Sequence, residues 1–216
     1  IIVSSYYYLV LFLCLSYALF AFSCFIDFSK AFDSIPRDLL LEKLLSYGIT
    51  GKFFNTIKSL YTNDKACVKI GTKITNFFPV NLGVRQGCVL SPLLFNIFLA
   101  NLAKQIDQVQ NKLMLHGTEL GALFWADDIV VLAHKESQLA EMLKIVENYS
   151  LGHKLKINLK KTNCMIFNKT GRLMRNKFYL NGLEIENAKS YKYLGFLFTP
   201  SGEIRRGLQD LRDRAL

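Results

Sequence analysis

The 216 residues predict an α+β fold, an antiparallel sheet with helices packed on one face. Three observations lead there. Phe22-Ser23-Cys24-Phe25-Ile26 is a short, nearly continuous apolar run, as expected of a buried central strand. Residues 120–133 hold two apolar runs parted by Asp127-Asp128, the pattern of a hairpin with carboxylates at its tip. Helical periodicity fills the intervals, so the order reads strand, helices, hairpin, helix, hairpin, helix, strands.

Each element has its own local reason. After the first strand, Asp33 or Ser34 can cap a helix with Pro36 in its first turn. Its apolar stripe is Ile35, Leu39, Leu40, Leu44 and Leu45, and Gly48 ends it. A second short helix covers residues 52–61. Residues 65–71 and 75–82 alternate well enough to pair as a hairpin. Ser91-Pro92 open a helix that runs to about Gln110. Beyond the acidic hairpin, Leu139, Met142, Leu143 and Val146 line one helix face, with Gly152 as the stop. Strands are expected near residues 164–167, 177–180 and 191–198.

A net charge of +10 with 51% hydrophobic residues excludes a disordered chain and points to a polyanionic partner, nucleic acid or an acidic membrane surface. The charge is uneven. Residues 1–64 balance at five basic and five acidic side chains, whereas residues 154–177 hold eight basic residues and no acid. That run is a solvated face on one reading and a phosphate-contacting surface on the other. The five cysteines form no C-x-x-C pair and the three histidines fall at no zinc-ligand spacing, which argues against a structural zinc site and suits a reducing compartment.

Residues 1–26 contain no charged side chain. There is no basic region before the apolar stretch, so it does not read as a secretory signal. Residues 1–21 stand as a separate apolar segment with two readings: a transmembrane helix, or foreign or misread sequence.

Asp27 ends one apolar run, and Asp127 and Asp128 separate two others. Acids so placed are costly unless paired, hydrogen-bonded or bound to metal. Gathered together they make an all-oxygen site suited to Mg²⁺. Two such ions about 3.5–4 Å apart can activate a 3′-hydroxyl and stabilise departing pyrophosphate. An Ala-Asp-Asp triplet alone arises by chance in roughly one chain in forty of this length, so by itself it reads as an acidic turn.

The wider pattern changes that. Phe25-Ile26-Asp27-Phe28-Ser29-Lys30-Ala31-Phe32-Asp33 resembles the first catalytic motif of non-LTR retrotransposon (LINE-type) reverse transcriptases, and residues 83–96, from Gly83-Val84-Arg85-Gln86-Gly87 to Phe95-Asn96, resemble the second palm motif. Leu123-Phe124-Trp125-Ala126-Asp127-Asp128 is similar to the third. Leu155-Lys156-Ile157-Asn158 with Lys161-Thr162 is similar to the fourth, and Tyr193-Leu194-Gly195 to the fifth. All five follow the family's order across residues 22–199.

The resemblance implies a polymerase palm over residues 22–199, with the start of a thumb or connection at 200–216. It implies an intracellular protein of cytoplasm and nucleus that copies an RNA template by adding dNTPs to a DNA primer. Asp27 and Asp127 would be the principal ligands of two Mg²⁺ ions, for which Mn²⁺ can substitute. The Phe28 carbonyl would assist and Asp128 would complete the cluster. Lys161 would protonate pyrophosphate, or else be a surface lysine. Phe32 would crowd the sugar 2′-carbon, or else be a core aromatic. Arg85, Gln86 and Gly87 would lie against nucleotide and template, Gly87 allowing close backbone approach. The helix N-terminus at Ser91 would add a dipole favourable to phosphate. Tyr193, Leu194 and Gly195 would grip the primer, and Lys154, Lys156 and Lys160 would meet nucleic acid. Asp33 is left to helix capping.

Two residues depart from the pattern. Trp125 stands where Tyr or Phe is usual, and Val89 replaces a common proline. The fingers expected upstream, the full thumb and an endonuclease region find no counterpart in this sequence, so the chain alone is expected to be catalytically silent. A remnant that only binds nucleic acid, or a membrane-anchored protein, are the competing expectations. The basic run yields a direct test. Affinity for nucleic acid should be weak, sequence-independent and salt-sensitive, and neutralising Lys154, Lys156, Lys160, Lys161, Lys169, Arg172, Arg175 and Lys177 in groups should flatten the salt dependence measured by fluorescence anisotropy.

Overall fold

The computed structural model describes residues 20–115 and 118–215. The separate segment at 1–21 therefore lies outside the described residues, apart from Phe20 and Ala21. Those two open β1 (Phe20–Asp27). Among the described residues, no helix is long and apolar enough to cross a membrane.

After β1 the chain forms a short turn of helix, α1 (Ala31–Ser34), and then α2 (Arg37–Ser46). The helix expected here begins at Arg37, and a separate helical turn precedes it. Ile35 precedes Pro36, and a residue before proline is pushed out of the helical region; Ile35 is extended at φ −62° and ψ 121°. Pro36 becomes the residue flanking α2, and neither Asp33 nor Ser34 caps it. The Ser34 hydroxyl donates to the Ala31 carbonyl within α1 instead.

Helix α3 (Gly51–Tyr61) follows. Residues 65–82 then pair as expected, but only as two minimal ladders. These join β2 (Lys65–Ala66) to β5 (Phe78–Pro79) and β3 (Lys69–Ile70) to β4 (Lys73–Ile74). Next come α4 (Leu90–Asp107), β6 (Leu113–Leu115) with β7 (Thr118–Leu120), and the acidic hairpin of β8 (Ala122–Trp125) and β9 (Asp128–Ala133). The last part holds α5 (Glu136–Gly152), β10 (Asn163–Asn168), β11 (Phe178–Leu180) and β12 (Leu183–Asn187). The stretch expected as one strand at 191–198 turns back at Leu194-Gly195, giving β13 (Tyr191–Tyr193) and β14 (Phe196–Phe198). Helix α6 (Ile204–Ala215) comes last.

Six strands form the main sheet in the order β11-β12-β10-β1-β9-β8. Only the β10–β12 contact is parallel. Alternation sends Cys24 and Ile26 of β1 and Ile129 and Val131 of β9 to the face covered by the helices. Ala21, Phe25, Val130 and Leu132 pack on the other face beneath the β13–β14 hairpin. Both faces are thus covered, which explains why β1 reads as an unbroken apolar run.

One polar group sits deep in the helical layer. Lys43 is buried and donates to the Tyr149 hydroxyl at 2.6 Å, which in turn donates to the Phe98 carbonyl. Its ammonium also lies over the Tyr149 and Phe98 rings, at 4.8 and 5.1 Å. Burial lowers the Lys43 pKa from 10.5 to about 8. Between those values the unfolded chain binds the extra proton, so this group makes stability rise with pH. Wild type should therefore gain on the order of 1–2 kcal/mol over Lys43→Met as pH is raised from 8 to 10, read from paired urea melts.

Candidate active site

The acids are positioned by strand register. Asp27 is the last residue of β1 and lies directly opposite Asp128, the first residue of β9. Directly opposed residues of an antiparallel pair share a face, here the face away from the helices. Trp125 also pairs with Asp128, leaving Ala126-Asp127 as a two-residue turn. Ala126 has φ +52°, a left-handed conformation at the first central position of a tight hairpin. Alanine in that region is strained, so the tip is held by its neighbours.

A second segment collars Asp27. The Asn158 amide donates to Asp27 Oδ2 at 3.0 Å, and the Asn158 backbone N–H donates to the Asp27 carbonyl at 2.8 Å. The Asp27 N–H donates to Thr162 Oγ1, and Lys161 Nζ stands 3.9 Å from Asp27 Oδ1. Ser29 N–H donates to the Lys156 carbonyl, so Phe28 is zipped to Ile157. Burial first, and then the charges of Asp127 and Asp27, push the Asp128 carboxyl up, with Lys161 opposing. That is the signature of like charges gathered in a partly dry place. The nearby Tyr191 phenol is pushed up to about 12 by burial and by Asp128 and Asp27.

Asp27, Asn158 and Lys161 open onto one cleft of about 360 Å³, which Asp128, Thr162 and Tyr191 do not line. Asp27, Phe28, Phe32, Gln86, Asp127 and Lys161 line it, with Asn158 at its side. Phe32 stacks on Phe95 at 4.9 Å and also walls the cleft. Gln86 is turned towards it by donating to Asp33 Oδ1 at 2.9 Å, so Asp33 holds this contact and caps no helix.

The other expected residues stand apart. Arg85 donates to Asp64 Oδ1 at 2.8 Å and to the Leu60 carbonyl, facing a neighbouring cleft. Gly87 lines a third cleft beside Val89 and Pro92. Its φ is +77°, and a methyl group there would meet no protein atom within 4 Å, so within the protein it is the turn that calls for glycine. Ser91 lies inside α4, one residue past its start, and its hydroxyl holds the Arg85 carbonyl. Leu194 (φ +49°) and Gly195 (φ +86°) make the β13–β14 turn, and Tyr193 donates to the Asp128 carbonyl at 3.3 Å. Lys154, Lys156 and Lys160 are exposed around the Asn158 collar.

The sequence reading assigned no part to Asn158, Thr162 or Tyr191. The first two lie inside the fourth motif, which was the available signal. Among the described residues, no three His, Cys, Asp or Glu side chains are arranged to close around a metal ion. Hard divalent cations that bind phosphates commonly use only one or two carboxylates plus substrate oxygens. Asp27 and Asp127 on one cleft, backed by Asp128, suit that donor set.

Comparison with known proteins shows the family and the fold. Residues 21–198 match the family described as reverse transcriptase (RNA-dependent DNA polymerase). The chain is 28% identical over 194 residues to the Pol polyprotein of the type-1 retrotransposable element R2 of Popillia japonica, covering 86% of this chain and 32% of that protein. It is 30% identical over 199 residues to the RNA-directed DNA polymerase from mobile element jockey of Drosophila funebris, covering 89% and 21%. The chain therefore spans about a third or less of these relatives. Apo telomerase from Candida tropicalis shares the fold, with a TM-score of 0.62 at 12% identity over 94% of this chain and 36% of that one.

The loop bearing Gln86 is tied to α1 through Gly83. Gly83 N–H donates to the Ile35 carbonyl and Val84 N–H to the Phe32 carbonyl. A methyl group on Gly83 (φ +81°) would sit 2.7 Å from the Asp33 backbone. Gly83→Ala should cost about 2–4 kcal/mol, from both strain and collision, against about 1–2 kcal/mol for Gly87→Ala, which meets strain alone. Urea denaturation of the two variants reads the order directly.

Proposed function

The chain belongs to the reverse transcriptase family, and on that premise we propose that residues 22–199 are the palm of a non-LTR retrotransposon RNA-directed DNA polymerase. The observation that carries this reading is the cleft shared by Asp27, Asp127, Lys161, Gln86 and Phe32, with Asp128 paired across from Asp27. The substrates are a dNTP and a DNA primer on an RNA template. The setting is intracellular, cytoplasm and nucleus, and residues 200–216 begin the thumb or connection.

In this reading the primer 3′-hydroxyl loses its proton to water, its oxygen attacks the α-phosphorus of the dNTP, and the bond to the bridging oxygen of pyrophosphate breaks. Asp27 and Asp127 would hold two Mg²⁺ ions, or Mn²⁺, with the Phe28 carbonyl assisting and Asp128 adding negative charge. Such ions supply Lewis acidity that neutralises phosphate charge and lowers the pKa of the attacking hydroxyl. Asn158 and Thr162 hold Asp27 in place. Lys161, already beside Asp27, gives a proton to the departing pyrophosphate. Phe32 crowds the sugar 2′ position, and Gln86 and Gly87 meet base and template while Arg85 anchors their loop. Tyr193, Leu194 and Gly195 hold the primer backbone. Lys154, Lys156 and Lys160 meet nucleic-acid phosphates.

Two measurements test this. Trp125 is the sole tryptophan and adjoins the acidic turn, so Mn²⁺ should quench its fluorescence saturably. Asp27→Asn and Asp127→Asn should weaken that response at least tenfold. A graft that places this chain in a related active enzyme should extend a primer on RNA, and the Asp27→Asn graft should not. Equal extension by both grafts would sink the assignment.

A further inference from the structure

Residues 65–82 form a ribbon that the palm chemistry leaves without a task. Every residue from position 68 to 79 is exposed. Ile70 is 74% exposed and Phe77 69%, far from ordinary for large apolar side chains. The ribbon carries Lys65, Lys69 and Lys73, and no acid occurs between residues 65 and 106.

Register argues against a simple protein-docking face. Lys69 pairs with Ile74, and Ile70 pairs with Lys73. Opposed residues share a face, so each side of the ribbon shows one cation and one isoleucine. A ribbon built to bury itself against an apolar partner would gather both isoleucines on one side. Cations on both sides, beside the consecutive exposed rings Phe77 and Phe78, suit a polyanion that also offers flat faces for stacking.

The base of the ribbon is locked to the loop that carries Gln86. Buried Arg37 donates to the carbonyls of Tyr61, Val80 and Gly83, and its remaining nitrogen binds Asp64, which also binds Arg85. A cleft of about 620 Å³ runs past Lys65, Val80 and Arg85 to Gln86, which also lines the cleft of the acids.

We propose that this ribbon is a platform for single-stranded nucleic acid, leading an unpaired strand along the Arg85 cleft towards Gln86. The inference rests on the polymerase reading for its direction, and the strand is then the uncopied template. Bases stack on Phe77 and Phe78, and phosphates meet Lys65, Lys69 and Lys73.

The test uses the full chain and a fluorescent 12-nucleotide single-stranded RNA, read by anisotropy across a salt series. Phe77→Ala/Phe78→Ala should weaken binding about tenfold while leaving the salt slope unchanged. Lys69→Gln/Lys73→Gln should weaken binding and lower the slope by about 1.4. Both should retain Mn²⁺ quenching of Trp125, which shows that they fold. Wild-type affinity in both variants overturns the proposal. So does loss of self-association in the Phe77→Ala/Phe78→Ala variant, by sedimentation, with RNA affinity unchanged. Ribbon-dependent RNA binding without Mn²⁺ quenching in wild type would support the platform and sink the polymerase reading.

Discussion

The antiparallel pairing of β1 with β9 is the constraint on which the site depends. It places Asp27 against Asp128 at the end of a ladder whose other residues are almost all apolar. Strand side chains alternate between faces, so a slip of one residue would send Asp27 into the helix-covered core and bring Ile26 to the site. An unpaired carboxylate in that core would cost several kcal/mol. The packing of Phe25 on one face and Ile26 on the other therefore fixes where the charge goes. Hydrophobic burial sets the acid geometry from a distance.

Around that ladder, local polar contacts make the final adjustments. Asn158, Thr162 and Lys161 reach Asp27 from a segment roughly 130 residues later. Tyr193 reaches the Asp128 backbone from the β13–β14 hairpin, on the same sheet face as the acids. Asp33 reaches Gln86, while Gly83 keeps that loop pressed to α1. The cleft is thus assembled from four chain segments, each anchored by a backbone or amide contact. Such anchoring lets the acids stay close although their mutual repulsion favours separation.

Much of this was legible in the sequence. The central strand, the acidic hairpin, the two long helices and the motif order all rest on periodicity or local composition, which a linear reading captures. What escaped it depends on tertiary partners. The break before Pro36 overrode the capping expected of Asp33, whose carboxylate found Gln86 instead. Strand β12 alternates acids with apolar residues and is defined by its neighbours β10 and β11. The β6–β7 pair was likewise unmarked by strong signals, whereas the amphipathic spacing of Ile204, Leu208 and Leu211 in α6 was a signal the linear reading passed over. The direction of Arg85 is set by Asp64, an acid outside every recognised motif. Side-chain pairing across segments leaves no periodic trace.

The central place of β1 also bears on how the protein is made. Its partners β9 and β10 begin about 100 and 135 residues after it ends. At about 5–20 residues per second, a ribosome takes several seconds or more to deliver them. Throughout that interval an apolar strand stands outside the tunnel with both edges open, which is the condition that favours mispairing. Early helices can collapse over one face but cannot satisfy its backbone. The strand that bears the chemistry is thus the one most in need of a chaperone during translation.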